Sequence, residues 1–206
     1  MSERALATPT PAQQAVTATQ QWLEAAVIGL NLCPFAKAVH VKQQVHYACS
    51  TATTAEALLQ ALRTELQALV ATDPAVRDTS LLIAPEFLQD FLDFNDFLQL
   101  ADQLLVDMGL DGVVQIASFH PHYQFAGTLE DDVTNCSNRS PFPTLHLLRE
   151  DSIDRAVEAF PQAEAIFEKN MQTLQALGQS GWAQLARAWA TPSPGMPDAG
   201  AGGAAA

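Results

Sequence analysis

Basic residues are scarce in this 206-residue chain, which has 10 Lys and Arg against 23 Asp and Glu and a net charge of −13. The 61 residues between Arg77 and Arg139 contain eleven acidic residues but no lysine or arginine. Binding to a phosphate backbone needs clustered basic side chains. We therefore expect no nucleic-acid partner.

Cysteines and long apolar runs are also scarce. Three cysteines are too few, and odd in number, for a disulfide framework. No apolar run approaches the roughly 18 residues of a membrane-spanning helix, and the first residues lack a signal-peptide pattern. The sequence therefore predicts a reduced, cytoplasmic protein without a membrane partner.

Two glycine motifs are missing as well. The chain contains neither G-x-G-x-x-G nor G-x-x-x-x-G-K-[ST]. These motifs bring the backbone close to a dinucleotide or to the phosphates of a nucleotide. Their absence excludes a Rossmann dinucleotide site and a phosphate-binding loop of the usual kinds.

The apolar content, by contrast, is high enough for a core, since 48% of the residues are hydrophobic. We expect one globular domain over residues 12–178, with a further short helix over 179–190. Residues 1–11 are polar and contain proline, and residues 191–206 form a Pro/Gly/Ala segment. Such compositions bury little apolar surface, so both ends are predicted to be disordered tails.

Hydrophobic periodicity predicts helices and strands in the order α-β-α-β-α-β-β-α-α. The fold class is therefore α/β or α+β, with a mixed four-stranded sheet and helices packed on it. The last two strands are joined by a long loop without a helix, which would allow them to pair antiparallel. The predicted strands are Val39–Val45, Thr79–Ala84, Val113–Phe119 and Thr144–Arg149. The predicted helices are residues 13–32, a helix opened by a capping box of Thr53 and Glu56, Phe87–Met108, Ser152–Phe160 and Pro161–Leu177.

The loop between the last two strands carries most of the chemistry. About two dozen residues separate these strands, which is long for a connection inside a compact domain. Three of the five histidines lie in or beside the loop, namely His120, His122 and His146. Alternate residues of an extended segment point the same way, so these imidazoles are candidate ligands of a transition-metal ion. Glu86 or Cys33 is a candidate further ligand. In the alternative, no metal is bound: the H-x-H spacing of His120 and His122 is merely a common one, and His146 bonds to the backbone.

A second cluster in this loop consists of Asn135, Asn138, Arg139 and Ser140. A guanidinium suits a carboxylate or a phosphate, so Arg139 is a candidate anchor for a small anionic or polar substrate. Asn135, Asn138 and Ser140 are candidate substrate-binding residues that would shape the loop or donate hydrogen bonds. In the alternative, Arg139 pairs with Glu130, Asp131 or Asp132 and ties the loop down.

Cys33 is a candidate nucleophile in the segment NLCPF. Its predicted position at the end of a helix works against a thiolate, because the negative end of the helix dipole lies there. A histidine partner would have to override this effect. Burial for structural reasons is the alternative role of Cys33.

Five longer motifs follow each other along the chain: NLCPFA, TSLLIAP, FNDF, ASFHPHYQFAG and NRSPFPTLHLLRE. With these motifs, roughly residues 12–175 resemble a bacterial family known as the domain of unknown function numbered fourteen-fifteen. The resemblance implies no activity, fold or ligand. It does mark motif positions, which are Cys33, Pro34, Phe35, His120, Pro121, Tyr123, Phe125, Asn135, Asn138, Arg139, Ser140, Pro141, Pro143, His146, Arg149 and Glu150.

Two hypotheses about function follow. In the first, the protein is a small enzyme in which His120 and His146 act as metal ligands or as acid and base. Tyr123 would donate a hydrogen bond to the substrate, and Glu150 or Glu86 would serve as a carboxylate base.

In the second hypothesis the protein is a non-catalytic protein- or ligand-binding module. The phenylalanines at helical spacing (Phe87, Phe91, Phe94 and Phe97) would then form a partner surface if they are exposed together, and a core stripe if they are buried.

Overall fold

The computed structural model describes residues 8–159 and 165–190. Six α-helices and four β-strands follow each other along this part of the chain. None of the described helices is both long and apolar enough to cross a membrane. The elements are α1 (Pro11–Trp22), α2 (Ala36–Val41), β1 (Val45–Cys49), α3 (Ala55–Ala71), β2 (Thr79–Ile83), α4 (Phe91–Asp107), β3 (Val114–Phe119), β4 (Thr144–Arg149), α5 (Glu150–Glu158) and α6 (Ile166–Ala186). A π-helical segment, Leu23–Ile28, extends α1, and a 3₁₀ helix, Val133–Asn138, lies between β3 and β4.

β4 is the last strand in the chain, yet it lies inside the sheet. The strand order is β1-β2-β4-β3. β1 and β2 are parallel, whereas β4 is antiparallel to both of its neighbours. This arrangement confirms the predicted mixed four-stranded sheet and the antiparallel pairing of its last two strands.

Helices cover both faces of the sheet. One face packs against α3 and α4 through buried side chains such as Leu62, Leu66 and Phe94. The other face packs against α1 and the π-helical segment, and there the Trp22 ring meets the Phe119 ring edge-on at 5.2 Å, while α6 packs on the 3₁₀ helix. Because burial of one large apolar side chain contributes roughly 1.5–3 kcal/mol, the two cores together hold the sheet in place.

The phenylalanines of α4 belong to the first of these cores. Phe94 and Phe97 are buried, and Phe87 and Phe91 pack against the same cluster while partly buried. These side chains therefore do not form the exposed partner surface considered from the sequence. The stripe is a core stripe, as the helical spacing of apolar residues usually indicates.

The predicted strand Val39–Val45 is wrong. The chain forms α2 over Ala36–Val41, turns at Gln43 with a positive φ of 58°, and begins β1 only at Val45. Val45 then pairs with Thr79 of β2. The alternation of valine with polar residues looked like a strand, but Val41 is 70% exposed and faces no sheet.

Two helix starts also differ from the prediction. Thr54 caps α3, because its hydroxyl accepts the Ala57 N–H at 3.2 Å, so the capping box of Thr53 and Glu56 is wrong. α4 begins at Phe91 instead of Phe87, because the Asp90 carboxylate accepts two backbone N–H groups of its first turn.

The ends of the chain were predicted with mixed success. The predicted start of the last helix at Pro161 and most of the predicted tails, residues 1–7 and 191–206, lie outside the described residues. In the described part, Thr10 already caps α1. α6 is kinked at Gly178, whose φ of 68° and ψ of 172° are not helical, so the helical part that follows it to Ala186 corresponds to the predicted short helix.

Candidate functional site

His120 follows β3 and is fully buried at the α4 side of the sheet, between the rings of Phe91 and Phe94. Its Nδ1 accepts the backbone N–H of His122 at 3.0 Å, and its Nε2 lies 3.0 Å from the carbonyl oxygen of Leu88. Nδ1 therefore carries the lone pair and Nε2 the proton. Burial lowers the pKa of His120, which keeps this imidazole neutral near pH 7. Both ring nitrogens are used by the fold.

Asn135 is fully buried in the 3₁₀ helix. Its side-chain oxygen accepts the Phe125 N–H at 3.0 Å and lies 2.8 Å from the Thr128 hydroxyl. Its side-chain nitrogen donates to the carbonyl oxygen of Leu129 at 2.8 Å. The oxygen and the nitrogen of the amide thus both bond to groups of the loop, so Asn135 shapes the loop.

Asn138 and Ser140 also bond within the protein. The Asn138 side-chain nitrogen donates to the Ser118 carbonyl at 3.3 Å, and its backbone carbonyl accepts the His120 N–H at 3.1 Å. The Ser140 hydroxyl donates to the Phe142 carbonyl at 2.6 Å. These contacts join the loop to the end of β3 and to the start of β4.

Arg139 ties the loop down through backbone carbonyls. Its Nε donates to Tyr123 at 3.2 Å and its Nη2 donates to Glu130 at 2.6 Å. Within residues 8–159 and 165–190, no ion pair joins Arg139 to a carboxylate. The guanidinium also borders an open cleft of about 600 Å³, which we call the Arg139 cleft. Its lining residues are His122, Leu129, Glu130, Asp131, Arg139 and Gln179.

The remaining acid–base candidates lie on three different segments of the fold. The Tyr123 ring packs against Phe91 at 5.1 Å and Phe125 at 5.0 Å, so it serves the packing of the loop. Glu150 opens α5, where its backbone N–H bonds to the Val113 carbonyl at 3.0 Å. Glu86 is exposed in the segment before α4.

Of the three histidines proposed as metal ligands, His120 and His122 are neighbours, with ring centroids 5.8 Å apart, and His146 lies away from them. His120 faces α4, whereas His146 projects from β4 on the opposite side of the sheet, 6.1 Å from the Phe119 ring. In the part of the chain that the structure describes, no group of three or more His, Cys, Asp or Glu could hold a metal ion. The structure therefore does not bring His120, His122 and His146 together as one ligand set, and the metal site with Glu86 or Cys33 as a further ligand stays a prediction.

His146 lies in the wall of a cavity of about 340 Å³ that the sequence did not reveal. The cavity, which we call the His146 cavity, is enclosed by the sheet, the π-helical segment, α2 and α5. Its lining is mostly apolar and includes Trp22, Val27, Phe35, Leu81, Ala117 and Ile153. Cavities of this size, with apolar walls and a few polar groups, are the usual form of small-molecule sites.

One ring nitrogen of His146 is bonded and the other is not. Nε2 lies 2.7 Å from the Thr79 hydroxyl oxygen. Among the described residues, Nδ1 has no hydrogen-bond partner. Burial lowers the pKa of His146 to about 4, so its imidazole is neutral near pH 7. This imidazole thus offers a polar atom that the fold itself does not use.

Cys33 lies in the wall of the same cavity. It precedes the short helix α2, and its sulfur interacts with the backbone N–H groups of Phe35 and Ala36. Burial nevertheless raises the pKa of the Cys33 thiol, and this effect outweighs the backbone contacts. A neutral thiol is a poor nucleophile, so the structural role considered for Cys33 fits better than the nucleophilic one.

Two polar residues, Asp78 and Ser152, form a rim on the His146 cavity. The Ser152 hydroxyl donates to the Asp78 carboxylate at 2.6 Å and accepts from Arg155 at 2.9 Å. Asp78 and Ser152 both line the cavity, so this contact holds α5 over it. The sequence reasoning missed Thr79, Asp78 and Ser152; the only signal was a threonine in an otherwise apolar strand, since buried hydroxyls need partners.

The family of the chain follows from a comparison with family models. The model described as "Protein of unknown function (DUF1415)" matches residues 14–184, which is most of the chain. The chain belongs to the DUF1415 family. No curated protein and no solved structure matches the chain.

The DUF1415 match includes every residue that lines the His146 cavity or the Arg139 cleft. The family description names no activity, so it confirms the resemblance without adding a substrate. The two candidate sites of the chain are the His146 cavity and the Arg139 cleft. They share no lining residue.

Proposed function

We propose that this protein binds a small, mainly apolar molecule in the His146 cavity. The observation that carries the proposal is a neutral imidazole in a mostly apolar wall, partly exposed, whose Nδ1 has no hydrogen-bond partner among the described residues. A ligand that pairs with this nitrogen gains a hydrogen bond that the fold leaves free, which contributes about 0.5–1.5 kcal/mol. The site therefore combines an apolar driving force with a polar contact at His146 that orients the ligand.

The volume of the cavity limits the size of this molecule. A volume of about 340 Å³ corresponds to roughly ten water molecules at about 30 Å³ each. A ligand of roughly ten non-hydrogen atoms, such as a single or fused ring, would fill it. Cofactors as large as a dinucleotide would not fit.

The charges around the cavity also favour a neutral ligand. Its inner wall contains no basic side chain, and the acidic side chain that lines it, Asp78, bonds to Ser152 at the rim. An anion in such a place would lose its hydration without gaining a counter-charge. The ligand is therefore neutral in the part that enters the cavity.

The enzymatic function expected from the sequence stays a prediction. It would require Arg139 to anchor a polar metabolite while a histidine acts on it. Arg139 borders its own open cleft, and the cleft and the His146 cavity have no lining residue in common. Catalysis in the Arg139 cleft would have to rely on the exposed His122 and on the carboxylates of Glu130 and Asp131.

Ligand binding can be tested with indole, phenol and benzyl alcohol as probes, followed by two-dimensional NMR of the backbone amides. We expect perturbations at β3, β4 and α5, and at least a tenfold loss of affinity in Ala156→Leu, whose side chain would occupy the cavity. Ala159→Leu, on an exposed residue just after α5, is the matched control. Perturbations confined to the Arg139 cleft, or none with any probe, would contradict the proposal.

A further inference from the structure

We infer that Thr79 makes the His146 cavity selective for ligands that donate a hydrogen bond. This inference rests on the proposed ligand binding and names the chemical class of the ligand. It follows from the position of a single proton, which the contacts of the Thr79 hydroxyl determine.

The Thr79 hydroxyl has two neighbours. Its oxygen lies 2.7 Å from the backbone carbonyl oxygen of Leu147 and 2.7 Å from Nε2 of His146. A carbonyl oxygen can only accept, and a hydroxyl has one proton to give. The Thr79 proton therefore points to Leu147, and Thr79 must accept from His146.

This assignment fixes the tautomer of His146. Because Nε2 donates to Thr79, it carries the proton of the neutral imidazole, and Nδ1 carries the lone pair. The nitrogen left for a ligand is an acceptor. A hydroxyl or an N–H group can pair with it, whereas a ketone or an ether would bring a second lone pair against the first.

The backbone keeps Thr79 in place for this role. Thr79 is buried at the start of β2, paired with Val45 of β1 and with Leu148 of β4. Its backbone N–H also bonds to the Gln44 carbonyl at 3.3 Å. Thr79 is thus a positioning residue that acts through His146 and does not need to touch the ligand.

The first test reads the tautomer directly, without any ligand, by long-range ¹H–¹⁵N NMR of the imidazoles. The signals of His146 are assigned by their loss in His146→Leu. We expect the Nε2–H tautomer in the unmodified protein and in Thr79→Ser, and a mixture of tautomers in Thr79→Val. Thr64→Val, which removes an exposed hydroxyl from α3, should change nothing. An Nδ1–H tautomer in the unmodified protein would overturn the inference.

The second test compares indole with benzofuran, which has the same shape but an oxygen in place of the N–H group. We expect indole to bind at least tenfold more tightly, and this ratio to fall below about threefold in Thr79→Val while Thr79→Ser retains it. Equal affinities would overturn the selectivity but leave the proposed binding intact. If neither probe perturbs the cavity, the proposed binding itself fails.

Discussion

Two histidines, the buried His120 and the partly exposed His146, lie on opposite sides of one sheet, and they differ in what their ring nitrogens touch. His120 bonds to Leu88 and His122, so both of its nitrogens are paired. His146 bonds to Thr79 alone, and its second nitrogen faces a cavity of about 340 Å³. The first histidine completes the fold, whereas the second leaves a polar atom for a molecule that is not part of the chain.

The same difference separates the two regions around these histidines. In the loop, Asn135, Asn138, Arg139 and Ser140 all bond to backbone groups of the loop and its borders. A long loop without a strand partner needs such side chains, because its backbone groups must be paired when they are buried. An abundance of polar residues is therefore a weaker sign of a binding site than one polar atom without a partner.

The largest effect is expected from Asn135→Ala, which tests whether the loop depends on its internal bonds. The change leaves the Phe125 N–H unpaired and removes the bond to the Leu129 carbonyl, which still accepts the Asp132 N–H. We expect the free energy of unfolding to fall by about 3 kcal/mol, since an unpaired buried group costs roughly 1–3 kcal/mol and a lost hydrogen bond about 1 kcal/mol. Urea denaturation measures it. Asn95→Ala, on the exposed face of α4, is the control and should stay within about 0.5 kcal/mol of the unmodified protein.

Low pH should destabilise the protein through His146. Burial lowers the pKa of this imidazole from 6.5 to about 4. Between these values the unfolded chain binds a proton that the folded chain does not. Stability is therefore complete above about pH 6.5 and falls as the pH drops to about 4, by about 3 kcal/mol. Burial also lowers the pKa of His120, so this residue adds to the loss of stability at low pH.

Denaturation series at pH 7 and at acidic pH measure this loss. His146→Leu should remove most of the contribution of His146, whereas His122→Gln, at an exposed position, should leave the loss unchanged. An equal acid sensitivity of the unmodified protein and His146→Leu would show that His146 is not buried as a neutral group.

Replacement of His120 and of His146 by leucine compares the two regions directly. His120→Leu leaves the Leu88 carbonyl and the His122 N–H unpaired. His146→Leu removes a bond to Thr79, whose hydroxyl still bonds to Leu147. We expect His120→Leu to be more destabilising near pH 7 by about 2 kcal/mol. Thermal and urea denaturation measure both variants, and the reverse order would contradict the hydrogen bonds assigned to the two rings.

The smallest effect is expected from Arg139→Gln, which tests whether this side chain belongs to the loop or to a ligand. Loss of its bonds to Tyr123 and Glu130 should cost about 1 kcal/mol, because the side chain is half-buried. This cost should be nearly the same at low and high salt, since no carboxylate pairs with Arg139 in the described residues. A stabilisation of the unmodified protein by phosphate that Arg139→Gln abolishes would instead support the anionic-substrate anchor.

The sequence predicted the sheet well because three of its strands, β2, β3 and β4, are apolar runs of the right length. It failed around Val39–Val45, where a short helix and a strand have similar valine patterns and only the pairing of Val45 with Thr79 separates them. Such pairing is a tertiary contact that local periodicity does not encode.

The candidate site was harder to predict than the sheet. The length of the loop predicts a functional region, whereas the polar side chains Asn135, Asn138, Arg139 and Ser140 bond to backbone groups of the loop and its borders. The walls of the His146 cavity come from all four strands and from several helices, and each contributes ordinary apolar residues such as Val27, Ala117 and Ile153. Only their assembly in three dimensions leaves the space, so no single segment signals it.

The position of β4 has a consequence for the synthesis of the chain. β2 and β3 point in the same direction and are joined only through β4, which spans Thr144–Arg149. Until the ribosome has released this segment, both strands present unpaired edges on which another nascent chain could pair. We therefore expect the sheet to close late during translation, and chains that terminate before Thr144 to aggregate instead of forming a partial fold.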